Sequence, residues 1–136
     1  MYSALSATTT VYELLSKDDK LNKLVKGNIF PIAAPLDTNG DFIVLARQEY
    51  KENRNNMLTH EEIATILLNV ISTEYTKGLE VLERVRSVLR DAEFCPSVVF
   101  VDGEETITGW GDSGVTKYVQ TLTFEISSLA LNDKEG

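Results

Sequence analysis

Glu62-Ile63-Ala64-Thr65-Ile66-Leu67-Leu68-Asn69-Val70-Ile71-Ser72 is the stretch on which the fold turns. In an extended chain, Ala64, Ile66, Leu68 and Val70 share one face, and Ile63, Leu67 and Ile71 share the other. A helix competes for the same residues. The strand wins because β-branched Ile, Val and Thr dominate and no clean 3.6-residue stripe emerges. A strand with two apolar faces is expected at the centre of a sheet, covered on both sides.

The neighbours of this stretch supply the rest of a sheet. Phe42 to Glu52 alternates, with Phe42, Val44, Ala46 and Tyr50 on one face and Arg47 and Glu49 on the other. Asn53 to Asn56 reads as the turn between the two strands. Upstream, Asn28 to Ala33 reads as a short strand. Pro31 and Pro35 confine it to a sheet edge, since proline cannot donate to a ladder. Asn39-Gly40 is a strong hairpin signal. Downstream, Ser97 to Val101 forms a short strand and Asp102-Gly103 a turn. Glu104 to Trp110 and Thr116 to Ser127 then make a hairpin around Gly111-Asp112-Ser113-Gly114. In its second arm Tyr118, Gln120, Leu122, Phe124 and Ile126 alternate with Lys117, Val119, Thr121, Thr123 and Glu125, a half-buried strand pattern.

Three segments read as helix. Thr10-Val11-Tyr12-Glu13 fits a capping box, and Val11, Leu14 and Leu15 share a face. Ser16 reads as a second N-cap, ahead of Asp18 and Asp19 in the first turn and Leu21, Leu24 and Val25 in the stripe. Lys26 and Gly27 end it. Residues 10–26 are therefore two short helices, or one kinked at Ser16. Glu74 to Glu93 is the long helix. Leu82, Val85 and Leu89 recur with Val81 and Val88, Glu80–Arg84 forms an i,i+4 pair, and Cys95-Pro96 ends the helix. The expected fold is α+β. It has a mostly antiparallel sheet, N-terminal short helices and one long amphipathic helix packed on it. Residues 1–136 form a single domain, with residues 1–9 and 129–136 as loose tails.

The chain has 136 residues, 43% of them hydrophobic, enough for a real core. Lys plus Arg total 13 against 21 for Asp plus Glu, a net charge of −8. That balance disfavours tight nucleic-acid binding and docking on anionic lipid. No apolar run is long enough to span a bilayer. One cysteine, Cys95, excludes an internal disulfide, and one histidine, His60, leaves it without a zinc-ligand set. The opening Met1-Tyr2-Ser3-Ala4-Leu5-Ser6 has neither a basic nor an apolar region, so no secretory signal is expected and synthesis in the cytoplasm is.

Each chemistry-bearing motif fails a physical test. Gly109-Trp110-Gly111-Asp112-Ser113-Gly114 has the letters of a dinucleotide loop, but a strand rather than a helix follows, so no helix N-terminus meets a pyrophosphate. Asp37, Asn39 and Asp41 imitate the start of a calcium loop. However, Phe42 stands where glycine is needed and Gln48 where a bidentate glutamate is needed. His60 has Glu61 and Glu62 beside it but no placed nucleophile. Asp91 and Glu93 near Cys95 disfavour its thiolate. No catalytic residue, cofactor site or metal site is expected. Trp110 is the most informative single residue, either core or an interface anchor.

Three passages carry a resemblance. They are Val11-Tyr12-Glu13-Leu14-Leu15-Ser16 with Leu21-Leu24-Val25, Gly27-Asn28-Ile29-Phe30-Pro31 and Ala34-Pro35; Glu74 to Arg86; and Tyr118 to Ile126. Together with the element order, these resemble the phage tail-completion, or tail terminator, family over about residues 10–127. The chain departs from that pattern after Pro35, where Asp37 to Asp41 intervenes before the next strand. The resemblance implies a non-enzymatic phage or prophage virion protein. It would form a homo-oligomeric ring, commonly a hexamer, that ends the tail tube and joins it to the head. Its partners would be further copies of itself, the tail tube and head-completion proteins, first in the bacterial host cytoplasm and then in the virion tail. Trp110 and Tyr118 are the expected oligomer-interface residues. Two other classes stay open: a small ligand-binding or enzymatic α+β domain with a pocket near Trp110 and Tyr118, and a monomeric adaptor that binds by strand addition.

The charge balance makes a direct prediction. Titration of the free protein with duplex DNA at physiological ionic strength should give no salt-sensitive binding. Micromolar binding that weakens steeply with added salt would reveal a clustered basic patch.

Overall fold

The computed structural model describes residues 7–32, 34, 40–54, 59–91, 97–108 and 117–131. The element order is α1 (Ala7–Ser16), α2 (Asp19–Val25), β1 (Ile29–Pro31), β2 (Phe42–Arg54), β3 (Thr59–Ser72), α3 (Tyr75–Asp91), β4 (Ser97–Thr108) and β5 (Lys117–Leu131). The five strands form one sheet in the order β1-β2-β3-β5-β4. All pairs are antiparallel except β1 with β2. The class is α+β, as the patterning implies.

β3 is the central strand. It pairs with β2 from Phe42↔Ile71 to Arg54↔His60 and with β5 from Thr59↔Leu131 to Ser72↔Tyr118. Its Ala64, Ile66, Leu68 and Val70 are fully buried in one core with Ile43, Leu45, Phe124 and Ile126. Val11 and Leu15 of α1, Leu21 and Val25 of α2, and Val81, Val85 and Leu89 of α3 complete that core. All three helices therefore pack on the same sheet face. On the other face Ile63, Leu67 and Ile71 are only half-buried. The expectation of cover on both sides is corrected: among the described residues only one side is covered.

The long helix presents the stripe its periodicity demands, rotated slightly. Val81, Val85 and Leu89 are buried, with Leu82 and Val88 packed at the margin. Gly78 lets the first turn of α3 approach the sheet. A Cβ there would stand 3.3 Å from the Ser72 Cβ and 3.8 Å from the Gln120 Cγ. Neighbours would have to shift to admit it.

Several local readings change. α1 begins at Ala7, before the Thr10 capping box, and β5 runs on to Leu131, so both elements reach into segments read as loose tails. The N-cap of α2 is Asp18, not Ser16. Its carboxylate accepts from the Leu21 N–H at 2.9 Å, while the Ser16 carbonyl accepts from Asn22 Nδ2. β1 is an edge strand, as Pro31 requires, but it runs parallel to β2. Parallel neighbours need a crossover, so a tight Asn39-Gly40 hairpin cannot join them. In β2 the buried residues are Ile43 and Leu45, the face opposite Phe42, Val44 and Ala46. A bulge between Arg47 and Glu49 then returns Tyr50, opposite Ala64, to the helix-covered face. Asp102-Gly103 is not a turn: β4 is continuous, with a bulge between Phe100 and Asp102, and Asp102 Oδ1 accepts from the Gly103 N–H at 2.8 Å.

Arg84 pairs across the fold instead of along its helix. Its Nε and Nη2 donate to the two Asp18 carboxylate oxygens at 2.8 and 2.7 Å, so the expected Glu80–Arg84 pair gives way to a bidentate link between α2 and α3. Along the same helix Arg86 Nη2 pairs with Glu83 at 3.3 Å. The hydrogen bond from Arg84 holds the Asp18 carboxyl below its ordinary value of 3.8, against the opposing effect of burial.

Two measurements test this account. Val85 is fully buried, so Val85→Asp should unfold the protein, because an unpaired buried carboxylate costs several kcal/mol of a margin of about 5–15 kcal/mol. Loss of the cooperative thermal transition checks it. A depressed carboxyl pKa contributes stability that is present above the unfolded value and lost as pH falls through the folded one. Asp18→Asn keeps a cap but loses the ion pair, so it should melt a few degrees lower at pH 7. That gap should begin to close as pH falls below about 4, where the unfolded carboxyl protonates, and should vanish once pH has fallen through the lowered value of the folded Asp18.

Candidate functional site

Of the two expected interface residues, Trp110 lies outside the described residues and Tyr118 lies at a corner of the sheet. The β4–β5 ladder ends there with Ile107↔Tyr118 and Thr108↔Lys117. Tyr118 projects on the helix-covered face, next to the start of α3. Its ring meets Tyr75 edge-on at 5.8 Å with a 75° interplanar angle. Tyr75 Oη donates to Glu105 Oε2 at 3.1 Å, and this bond to a carboxylate keeps the Tyr75 phenol protonated above its usual range. Tyr75, Glu105, Thr106, Ile107, Tyr118 and Gln120 line a cavity of about 200 Å³.

Alternation alone places Tyr118 and Gln120 on one face, as the sequence implies. It gives no sign that Tyr75 and Glu105 join them. The signal that marks this corner is chemical. Gln120 sits in a run whose other inward positions are Leu122, Phe124 and Ile126, yet it is 3% exposed. A polar amide at a core position is the one irregularity in that strand.

A second polar cluster lies beside this corner, at the same end of the central strands, where Ser72 is the register partner of Tyr118. Asp41 is 8% exposed and Ser72 1% exposed. The Ser72 hydroxyl donates to Asp41 Oδ2 at 3.0 Å and accepts from the Glu74 N–H at 3.0 Å, and Lys77 Nζ stands 3.5 Å from the same carboxylate. The Asp41 carbonyl accepts from Asn28 Nδ2 at 3.4 Å. These bonds join the start of β2, the end of β3 and the first turn of α3. Asp41, Lys77, Asn28 and Lys26 also border a cavity of about 490 Å³ with Leu24, Val25, Gly40 and Thr73. Asp41 is thus committed within the fold. The rest of the calcium-like run, Asp37 to Asn39, lies outside the described residues, as do Cys95 and Gly109 to Gly114. His60 is placed in β3 opposite Arg54 and Ala130.

A further feature is the sheet face that no described helix covers. Phe42, Val44 and Ala46 of β2, Ile63, Leu67 and Ile71 of β3, and Val119 of β5 are half-buried on it, and Val99 of β4 is 53% exposed. A polar seam crosses it, where Thr121 Oγ1 donates to Asn69 Oδ1 at 2.6 Å. Lys117 Nζ lies 5.9 Å above the Phe42 ring. An apolar face of this extent, with a central polar seam, is the composition of an interaction surface. Among the described residues no cluster of three metal-ligating side chains occurs. No described helix is long and apolar enough to cross a membrane.

No protein-family model and no curated protein matches this chain. Among solved structures, it is similar to a chain from the virion of a native gene transfer agent particle. That similarity has a TM-score of 0.78 and 15% sequence identity, and it covers 96% of this chain and 100% of the other. The likeness is one of fold.

Proposed function

We propose that this protein is a non-enzymatic structural component of a phage-like virion. Within that class, it is the ring that ends the tail tube and joins it to the head. The observation that carries the reading is the fold shared, end to end on both chains, with a component of a gene transfer agent virion. The order of elements, which resembles the tail terminator family, supports the finer role.

The physics of the surface favours assembly. One face of the sheet keeps Leu67, Ile71, Val44 and Val119 only half-buried. Burial of such a face stabilises by about 25 cal/mol per Å² of apolar surface removed from water. Identical subunits joined head to tail close into a ring when the rotation per step divides a full turn. Trp110 and Tyr118 are the anchors of the subunit contact, since large aromatics with a polar handle concentrate binding energy. A net charge of −8 per subunit suits a channel through which DNA passes, because an acidic wall does not grip phosphates. The partners are further copies of the chain, the tail tube and the head-completion proteins.

Solution mass measurement with negative-stain imaging tests the ring. At high protein concentration, or with tail-tube subunits added, closed rings should appear. Trp110→Ala should weaken them while leaving the melting transition of the subunit in place. A protein that stays monomeric under both conditions refutes the ring. A large fall in melting temperature for a monomeric Trp110→Ala variant would assign that residue to the core.

A further inference from the structure

The sheet has two open rims of different charge. On one, β4 presents its outer edge over 12 residues, with no proline and no lysine to guard it. Every residue from Val101 to Ile107 is exposed, and the charged ones, Asp102, Glu104 and Glu105, are all acidic. On the other rim, β1 covers β2 only from Ile43 to Leu45. Beyond Leu45 no described strand pairs with the outer edge of β2, which continues to Arg54. Arg47 and Lys51 are exposed on that open stretch.

The corner cavity on the β4 rim has the chemistry of a cation site. Glu105 supplies a carboxylate, the Tyr75 and Tyr118 rings stand beside it, and about 200 Å³ admits one guanidinium head. That carboxylate accepts from Tyr75 Oη and keeps lone pairs for a fork of N–H donors. Arg47 is the side chain of the opposite rim that suits it. As the register partner of the buried Ile66, it stands on the helix side of the sheet, where Tyr118 meets Tyr75. Its guanidinium lies 5.9 Å from the Tyr50 ring centroid, so in a joined pair it exchanges one ring for two rings and a carboxylate.

Strand sense lets the two rims meet. β2, β3, β5 and β4 alternate in direction, so β4 runs antiparallel to β2. A rotation that keeps the strand sense therefore sets β4 of one copy antiparallel to β2 of the next. We propose that β4 of each copy adds to the open stretch of β2 of the next copy, so that one sheet runs across the contact, with Lys51 opposite Glu104 and Arg47 at the Tyr75–Glu105–Tyr118 cavity. With the bulge after Arg47 retained, Tyr50 falls opposite Glu105 and Arg47 opposite Ile107. Glu49 then faces Thr106 and Glu52 faces Gly103, so no two acids are set directly against each other. Each rim meets a different rim, as closure of a head-to-tail ring requires. The inference rests on the ring reading above and names the surfaces that join its copies.

Charge reversal tests it, on the full chain and under the conditions in which wild-type rings form, with solution mass as the readout. Lys51→Glu and Glu104→Lys should each raise the concentration needed for assembly about ten-fold. Neither should move the melting temperature of the subunit, since both residues are exposed and the Lys51–Glu49 bridge at 3.7 Å is a solvated one. An equimolar mixture of the two variants should assemble as the wild type does. In the mixture every contact again joins a carboxylate to an ammonium across the rims, whereas either variant alone sets like charges together. Arg47→Ala should also weaken assembly, and adding Glu105→Gln to it should cost little more, because both changes remove one contact. Single reversals that assemble like a ring-forming wild type overturn the joined rims and leave the ring reading standing. So does a mixture that stays as weak as its components. Additive losses from Arg47→Ala and Glu105→Gln take Arg47 out of the cavity. A wild-type protein that stays monomeric at every concentration, and with tail-tube subunits added, removes the ring and the joined rims together.

Discussion

The constraint on which the rest of the structure depends is β3, a central strand apolar on both faces. Ala64, Ile66, Leu68 and Val70 are fully buried on one side, and the three helices exist to cover them. Val81, Val85 and Leu89 of the long helix meet that face directly. α1 lies over β1, β2 and β3 with Val11 and Leu15, and α2 packs Leu21 and Val25 into the same core beside α1 and α3. The opposite residues, Ile63, Leu67 and Ile71, have no described helix above them. The sheet thus has one face closed by its own helices and another that is half-apolar and without a described helix above it.

Two sets of polar links hold this arrangement. Asp18 caps α2 and binds Arg84 of α3 through two short bonds, which fixes the angle between the short helix and the long one. Asp41, Ser72 and Lys77 tie the first turn of α3 to the strands below it, and Gly78 permits the close approach. Each buried carboxylate has a cation or hydroxyl against it, which offsets its desolvation. Gln120, beside Gly78, breaks that pattern, since its amide donor is buried without a partner among the described residues.

Under the proposed function the work of the molecule lies in its surfaces, and the half-buried sheet face suits a neighbour of similar apolar character, as in a ring of identical subunits.

By itself the sequence determined what depends on local periodicity. The α+β class, β3 as a central strand, the helical stripe of Val81, Val85 and Leu89, the edge position of β1 and the β4–β5 hairpin were all legible. Each rests on neighbours a few residues apart or on proline chemistry. Tertiary structure decided what depends on distant partners. β1 pairs in parallel with β2 because its register is set by Ile43 and Leu45, not by the Asn-Gly dipeptide between them. The core face of β2 is Ile43 and Leu45, since β3 presents Leu68 and Val70 on that side and a bulge restores Tyr50 to it. Arg84 prefers Asp18, 66 residues away, over its helical neighbour Glu80, because a bidentate, half-buried carboxylate outcompetes a solvated one. The meeting of Tyr75, Glu105, Tyr118 and Gln120 follows from where α3 begins over the sheet, and no spacing within one element encodes that.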